Sequence, residues 1–261
     1  ETGIEVRAVF DTESAKTAGL ANRLRFEKEN PQCDLFWNNE EMHTRLLAMD
    51  EVFREQDGWR TVGYRTRRLV INTNLVKLEN FPKSLLELTN DVWNGNFAMA
   101  YPLFGTTATH FLALKQHWGE EQWKNWCYGL VRNGAKVVDG NSMVVKLVGA
   151  GEAAIGLTDS DDIIAGQRQN LPIMELPLTG EFIAIPNTIG LLRYSPQPDH
   201  AEKLAQYLSR PETLQKLVHV GALEGVDLKD APENLLEVDW SESREGMQKA
   251  AYYLKLIFIR S

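Results

Sequence analysis

Asp159, Asp161 and Asp162 fall within four residues of one another in "GLTDSDD", directly behind the apolar run "AAIGL". Carboxylates at that density suit a hard cation or an ammonium group, but acidic side chains are equally at home in the first turn of a helix, where the dipole favours them. Glu40, in "FWNNEEMH", carries the same alternatives: an oxygen ligand, or a charge at a helix start. Arg65 and Arg67 alternate in "YRTRRLV" and so face one side of a strand, with Arg68 on the other. One such pair can clamp an anion, and it can as well bridge to the aspartates.

Elements must bring these residues together. The repeating unit is a short apolar run, a turn with Gly, Asn or Asp, and a helical pattern. Residues 4–10 read as a strand followed by a helix over about 14–29, capped by Asp11 or Thr12. "CDLFW" is the next strand, and Asn38 or Asn39 can cap the helix after it. "RRLVINT", "FAMAY", "AKVVD" and "AAIGLT" continue the sheet, with helices over 107–118 and 120–133 between them. Strands alternating with helices predict an α/β fold with parallel sheets covered on both faces.

In such sheets, ligands bind beyond the carboxyl ends of strands, where loops enter helix N-termini. Five polar loops occupy that position: "DTESAKT" with Thr12, "WNNE" with Asn39 and Glu40, "FGTTATH" with Thr106 and Thr107, "DGNSM" with Asn141, and "TDSDD" with Thr158, Asp159 and Ser160. Any one of these small polar residues could be a helix cap and nothing more. Two longer strand-rich segments, "WRTVGYRTRRLVINTN" and "GEFIAIPNTIGLLRYSP", suit hinge crossings between two domains. These crossings predict a discontinuous first domain of residues 1–67 and 188–225, and a second of 68–187 and 226–261.

Composition narrows the function. A net charge of −8 over 261 residues, with no long basic run, speaks against nucleic acid as a partner. No stretch approaches the ~20 apolar residues of a membrane helix. Cys33 and Cys127 fit no metal spacing and are expected to be unpaired thiols. The five histidines form no zinc pair, and no nucleophile elbow, phosphate loop or dinucleotide fingerprint occurs. His110, inside a helical pattern, reads as structural, and Trp118, Trp123, Trp126 and Tyr128 read as core. Catalysis is not expected.

Taken in order, "DLFWNNE", "YRTRRLVINT", "YPLFGTT", "GNSMVVKLVGAGEAAIGLTDSDD" and "IPNTIGLLRYSPQPDHAEKLAQYLSRPET" resemble the periplasmic solute-binding proteins of ABC importers, in their ferric-iron-binding branch. The resemblance covers nearly the whole chain. It implies a type II clamshell of two lobes, each a mostly parallel sheet flanked by helices, with a small charged solute in the cleft. It further implies an exported, periplasmic monomer that delivers its solute to an inner-membrane ABC permease and needs no resident cofactor.

Residue by residue, the resemblance makes Glu40 the acidic iron ligand and Arg65 and Arg67 the R-x-R hinge strand. It likens the loop of Thr106 and Thr107 to the one that holds a synergistic anion, and matches Asn141 to the asparagine before the G-E-containing helix. Where ferric binders usually carry two adjacent tyrosines, Ser160 and Asp161 stand here. The family also normally begins with a strand and helix ahead of "ETGIEV", and the join near Met49, Asp50 and Glu51 is short against its pattern. The leading expectation is a metal cation such as ferric iron, with an anion, on Glu40, Asp159, Asp161 and Asp162. The alternative is a small zwitterion or anion such as an aminophosphonate, its anionic end on Arg67, Thr106 and Thr107.

Overall fold

The computed structural model describes residues 2–10, 18–103, 105–176, 180–241 and 244–258. The chain divides into two compact units, one of Glu1–Arg65 with Ile185–Ala231 and one of Thr66–Ala184 with Pro232–Ser261. It therefore passes from unit to unit three times, twice within strands.

In the first unit, β1 (Leu35–Asn38) pairs antiparallel with β7 (Ala184–Leu191), and β7 lies between β1 and the start of β2 (Trp59–Asn72). Aliphatic side chains on both faces draw helices down. Phe36 packs with Ala21 and Leu24 of α1 (Ala18–Phe26), Leu47 of α2 (Glu41–Met49), and Phe53. On the opposite face, Ile189 and Leu191, with Leu35 and Trp37, meet Ala201 and Ala205 of α7 (Pro198–Leu208) and Leu214 of α8 (Pro211–His219). Both of these last helices start on a proline, whose fixed φ suits the first turn and whose missing N–H costs nothing there.

β2 is rich in β-branched and aromatic residues, which explains its 14-residue length. It passes Gly63 at φ 64°, a left-handed conformation that would strain any other residue, and the Leu223 side chain presses on the space a Cβ would take. The second half of β2 belongs to the other unit, where it runs antiparallel to β5 (Ile155–Asp159) on one side and β6 (Ile173–Leu176) on the other. β5 then pairs parallel with β3 (Phe97–Ala100), and β3 parallel with β4 (Lys136–Val138). Three strands are thus parallel, each followed by a helix: α3 (Gly105–Trp118) after β3, α5 (Asn141–Gly149) after β4, and α6 (Ser160–Arg168) after β5.

Every residue of β3 and β5 is buried, as expected for strands covered on both faces. Val144, Val145 and Val148 of α5 and Ile163 of α6 close over Val70 and Ala98. α3 is buried continuously from Thr106 to Leu114, because α4 (Glu120–Arg132) and α9 (Arg244–Phe258) pack around it. Trp123 and Trp126 are core, whereas Tyr128 is half exposed. Cys33 and Cys127 are both free thiols.

Several local expectations are corrected. Residues 4–10 form no strand and join no sheet. The helix expected over 14–29 is described from Ala18 to Phe26, and Thr12 lies outside the described residues. α2 is capped by Glu40, not by Asn38 or Asn39.

Candidate functional site

The loops after β3, β4 and β5 converge in the second unit at the carboxyl ends of three parallel strands. β2 runs antiparallel past them, and its register sets Arg67 directly opposite Asp159. Arg67 is wholly buried, and its Nη1 donates to Asp159 Oδ1 at 2.5 Å, Asn141 Oδ1 at 3.1 Å and Thr106 Oγ1 at 3.3 Å. The other carboxylate oxygen of Asp159 accepts from Thr106 Oγ1 at 2.8 Å and Asn141 Nδ2 at 3.0 Å. Asn141 Nδ2 also reaches Thr106 Oγ1 at 3.0 Å, and Thr158 Oγ1 donates to the Asn141 carbonyl. Thr106, Asn141 and Asp159, 39 to 92 positions from Arg67 in the sequence, so form one polar network with it.

Two nitrogens of Arg67 stand outside it. Nε and Nη2 are buried and have no hydrogen-bond partner. They form the side-on fork of the guanidinium, the pair of parallel donors that matches two oxygens of a carboxylate or phosphate. Leaving such donors buried and unpaired is costly, so a ligand oxyanion that accepts from them would be strongly favoured. Thr106 and Thr107, both buried, begin α3, where free backbone N–H groups and the helix dipole favour negative charge.

His110 lies one turn beyond Thr106 on the same helix face. Its Nε2 is 2.6 Å from the Glu181 carbonyl, which makes that nitrogen the protonated one, and Nδ1 is a buried lone pair without a partner. Burial, and then the charge of Arg67, push its pKa down to about 3, so the ring is neutral and adds no positive charge here.

The acidic run behaves differently along its length. Asp159 ends β5 and is saturated by Arg67, Thr106 and Asn141. Asp161 and Asp162 occupy the first turn of α6 and are partly exposed, while Ser160 is buried and accepts from the Thr66 N–H at 3.3 Å. One carboxylate oxygen from each of Asp159, Asp161 and Asp162 lies within 4.8 Å of the others.

The remaining singled-out residues are in the first unit. Glu40 is 1% exposed. Its Oε1 accepts from His43 Nδ1 at 2.7 Å, from the His43 N–H at 3.1 Å and from Asn38 Nδ2 at 3.1 Å. Burial alone would raise its pKa, but the His43 charge and these hydrogen bonds outweigh burial and hold it below the usual glutamate range. Arg65 Nη2 donates to the backbone carbonyl of Asn39, whose side chain is exposed. Sequence reasoning offered Asn38 only as a cap and missed His43 and Thr44, which with it build this buried network; Thr44 Oγ1 lies 2.7 Å from Thr188 Oγ1. The three-residue spacing of Glu40 and His43 on a helix start was its one visible signal.

The architecture, a mostly parallel sheet flanked by helices in a chain that divides into two units, is that of a type II periplasmic binding protein. The chain matches the bacterial extracellular solute-binding protein family over residues 1–221 and belongs to it. Ferric-binding proteins are among the solved structures that share its fold. AfuA from Actinobacillus pleuropneumoniae, solved with fructose-6-phosphate, superposes with a TM-score of 0.83 at 14% identity, over 94% of this chain and 89% of that one. Iron-bound HitA from Pseudomonas aeruginosa gives 0.76 at 17% identity, over 92% and 87%. The periplasmic binding protein P5PA gives 0.72 at 17%, over 93% and 88%. No curated protein matches. Solute-binding proteins of ABC importers deliver small solutes to a membrane permease, and these neighbours are binding proteins. No described helix is long and apolar enough to cross a membrane.

Proposed function

We propose that this protein captures a small solute bearing an oxyanion, a phosphate or phosphonate with or without an amine, for an ABC importer. The observation that carries this reading is the half-paired guanidinium of Arg67. One arm is anchored by Asp159, Thr106 and Asn141, and the fork is left with two donors and no acceptor. The anchor gives Arg67 a fixed orientation, and the N-terminus of α3 adds favourable charge on the same network. Partly exposed Asp161 and Asp162 are suited to an ammonium group on the same solute. AfuA, a neighbour holding a sugar phosphate, supports the class of ligand.

Ferric iron is the second reading, supported by the three clustered aspartates and by iron-bound HitA. A bare trivalent cation beside a guanidinium is electrostatically disfavoured, and Asp159 already gives both oxygens to protein donors. The site residues Thr106, Thr107, Asn141, Thr158 and Arg67 therefore serve the oxyanion in our assignment, and Asp161 and Asp162 its cationic end.

Thermal melting against inorganic phosphate, 2-aminoethylphosphonate, fructose 6-phosphate and ferric citrate tests it. A phosphorylated or phosphonate compound raises Tm by mass action, and Thr106→Val weakens its binding roughly 10-fold as one hydrogen bond is lost. A shift given by iron alone, and abolished in Asp161→Ala, would establish the second reading instead.

A further inference from the structure

His110 and Arg67 leave opposite halves of hydrogen bonds unmade in the same part of the second unit. Arg67 Nε and Nη2 are donors without an acceptor, and His110 Nδ1 is an acceptor without a donor. Both side chains are wholly buried. One network ties them together: Thr106 Oγ1 accepts from Arg67 and donates to Asp159, and His110 stands one helical turn after Thr106 on α3. The charges of Arg67 and Asp159 both act on the ring.

The backbone sets the tautomer of His110. Nε2 lies 2.6 Å from the Glu181 carbonyl, an oxygen that can only accept, so Nε2 carries the proton and Nδ1 the lone pair. Glu181 is itself held in place, its carboxylate accepting from Ser84 Oγ at 2.7 Å and from the Leu85 N–H at 2.6 Å. The buried Phe182 ring lies 6.0 Å from the imidazole, centroid to centroid. The ring is thus fixed, and with a pKa of about 3 it keeps Nδ1 an acceptor throughout the neutral range. A buried acceptor is satisfied only by a hydrogen.

We propose that His110 makes the site selective for an oxyanion that still carries a proton, a monoanionic phosphate or phosphonate, over a fully ionised one. This rests on the assignment of an oxyanion to Arg67. Two bare oxygens of the ligand accept from the Arg67 fork, and its P–O–H donates to His110 Nδ1. A dianionic phosphate or a sulfate sets a third bare oxygen against the lone pair and leaves Nδ1 unsatisfied. Charge alone gives the reverse order, since a guanidinium attracts a dianion more strongly than a monoanion.

The test is calorimetric titration with 2-aminoethylphosphonate and inorganic phosphate, each beside its sulfur counterpart, taurine and sulfate, which carry no acidic proton. The series runs from about pH 5.5 to about pH 8.5, across the second ionisation of phosphates at roughly pH 6–7. In the wild type the affinity for the phosphorus compounds falls about 10-fold over this range, and the sulfur compounds do not bind. His110→Gln places an amide N–H near Nε2, which keeps the Glu181 contact, and removes the Nδ1 acceptor. In that variant affinity stays level or rises with pH, and the sulfur compounds bind; a merely structural role for His110 would not reverse the trend. Should the variant fail to fold, the wild-type pH trend and the sulfur comparison decide. Wild-type affinity that rises with pH, sulfur compounds that bind as their phosphorus partners do, or a trend unchanged in His110→Gln each overturn the inference and leave the oxyanion reading standing. If neither phosphorus compound binds at any pH, the oxyanion reading itself falls, and this inference with it.

Discussion

Arg67 and Asp159 show how much a single contact can hold. Both are essentially inaccessible, at 0% and 1% side-chain exposure, and their ion pair is bracketed by Thr106 and Asn141. Removing one charge from a buried pair leaves the other desolvated and uncompensated, an effect of about 3–5 kcal/mol. Asp159→Asn is therefore expected to lower the urea unfolding midpoint strongly. Asp162→Asn, in the partly exposed first turn of α6, should leave it within roughly 0.5 kcal/mol. Equal midpoints for the two variants would mean that the Arg67 charge is compensated elsewhere. In sequence, Asp159, Asp161 and Asp162 looked alike. They differ only because β5 ends at Asp159, turning that one side chain towards β2 while the next two ride on a helix.

Among the elements, α2 shows best what can and cannot be read in advance. Its existence and approximate span followed from the pattern of "NNEEMHTRLL", but the cap did not. Asn and Asp are the better intrinsic caps, yet Asn38 is held in β1 with its side chain on Glu40 and Thr44, and Glu40 takes the capping position. Glu40→Ala is expected to destabilise by roughly 1–2 kcal/mol in equilibrium unfolding, and an unchanged unfolding curve would remove the cap from the account of α2. β2, β3 and β5 are visible as apolar runs, since buried strands advertise themselves by composition. Residues 4–10 carried the same signature and form no ladder here. Strand propensity describes what a segment can do, and a partner edge decides whether it does so. Likewise the convergence of Thr106, Asn141 and Asp159 was legible from strand–loop–helix order, whereas the pairing of Arg67 with Asp159 required the register of β2 against β5.

For the molecule as a whole, the buried titratable groups set the response to acid. His110 binds its proton only near pH 3 when folded, but near its ordinary value of 6.5 when unfolded. Between those values the unfolded chain holds more protons, so stability rises with pH and is lost progressively as pH falls from about 6.5 towards 3. Glu40 acts in the same direction over a lower window: its folded pKa is depressed, so its contribution is present above the ordinary glutamate pKa of 4.5 and disappears as pH falls through the folded value. Thermal melts from pH 7 to pH 4 should show Tm falling steadily. In His110→Gln, which keeps a polar side chain but no titration, the part of the decline between pH 6.5 and 5 should flatten; a profile identical to the wild type would place that proton uptake on another group.

Neither unit is a contiguous stretch of the chain. The first needs Ile185–Ala231 to complete what Glu1–Arg65 begins, and the second waits for Pro232–Ser261. During synthesis, a nascent polypeptide that has emerged as far as Ala184 thus contains most of one folding unit and part of the other, and a finished copy of neither. No single cut between the units yields an autonomous half, and α9, which follows all three crossings, supplies Met247, Leu254 and Ile257 to a core that Thr66–Ala184 begins.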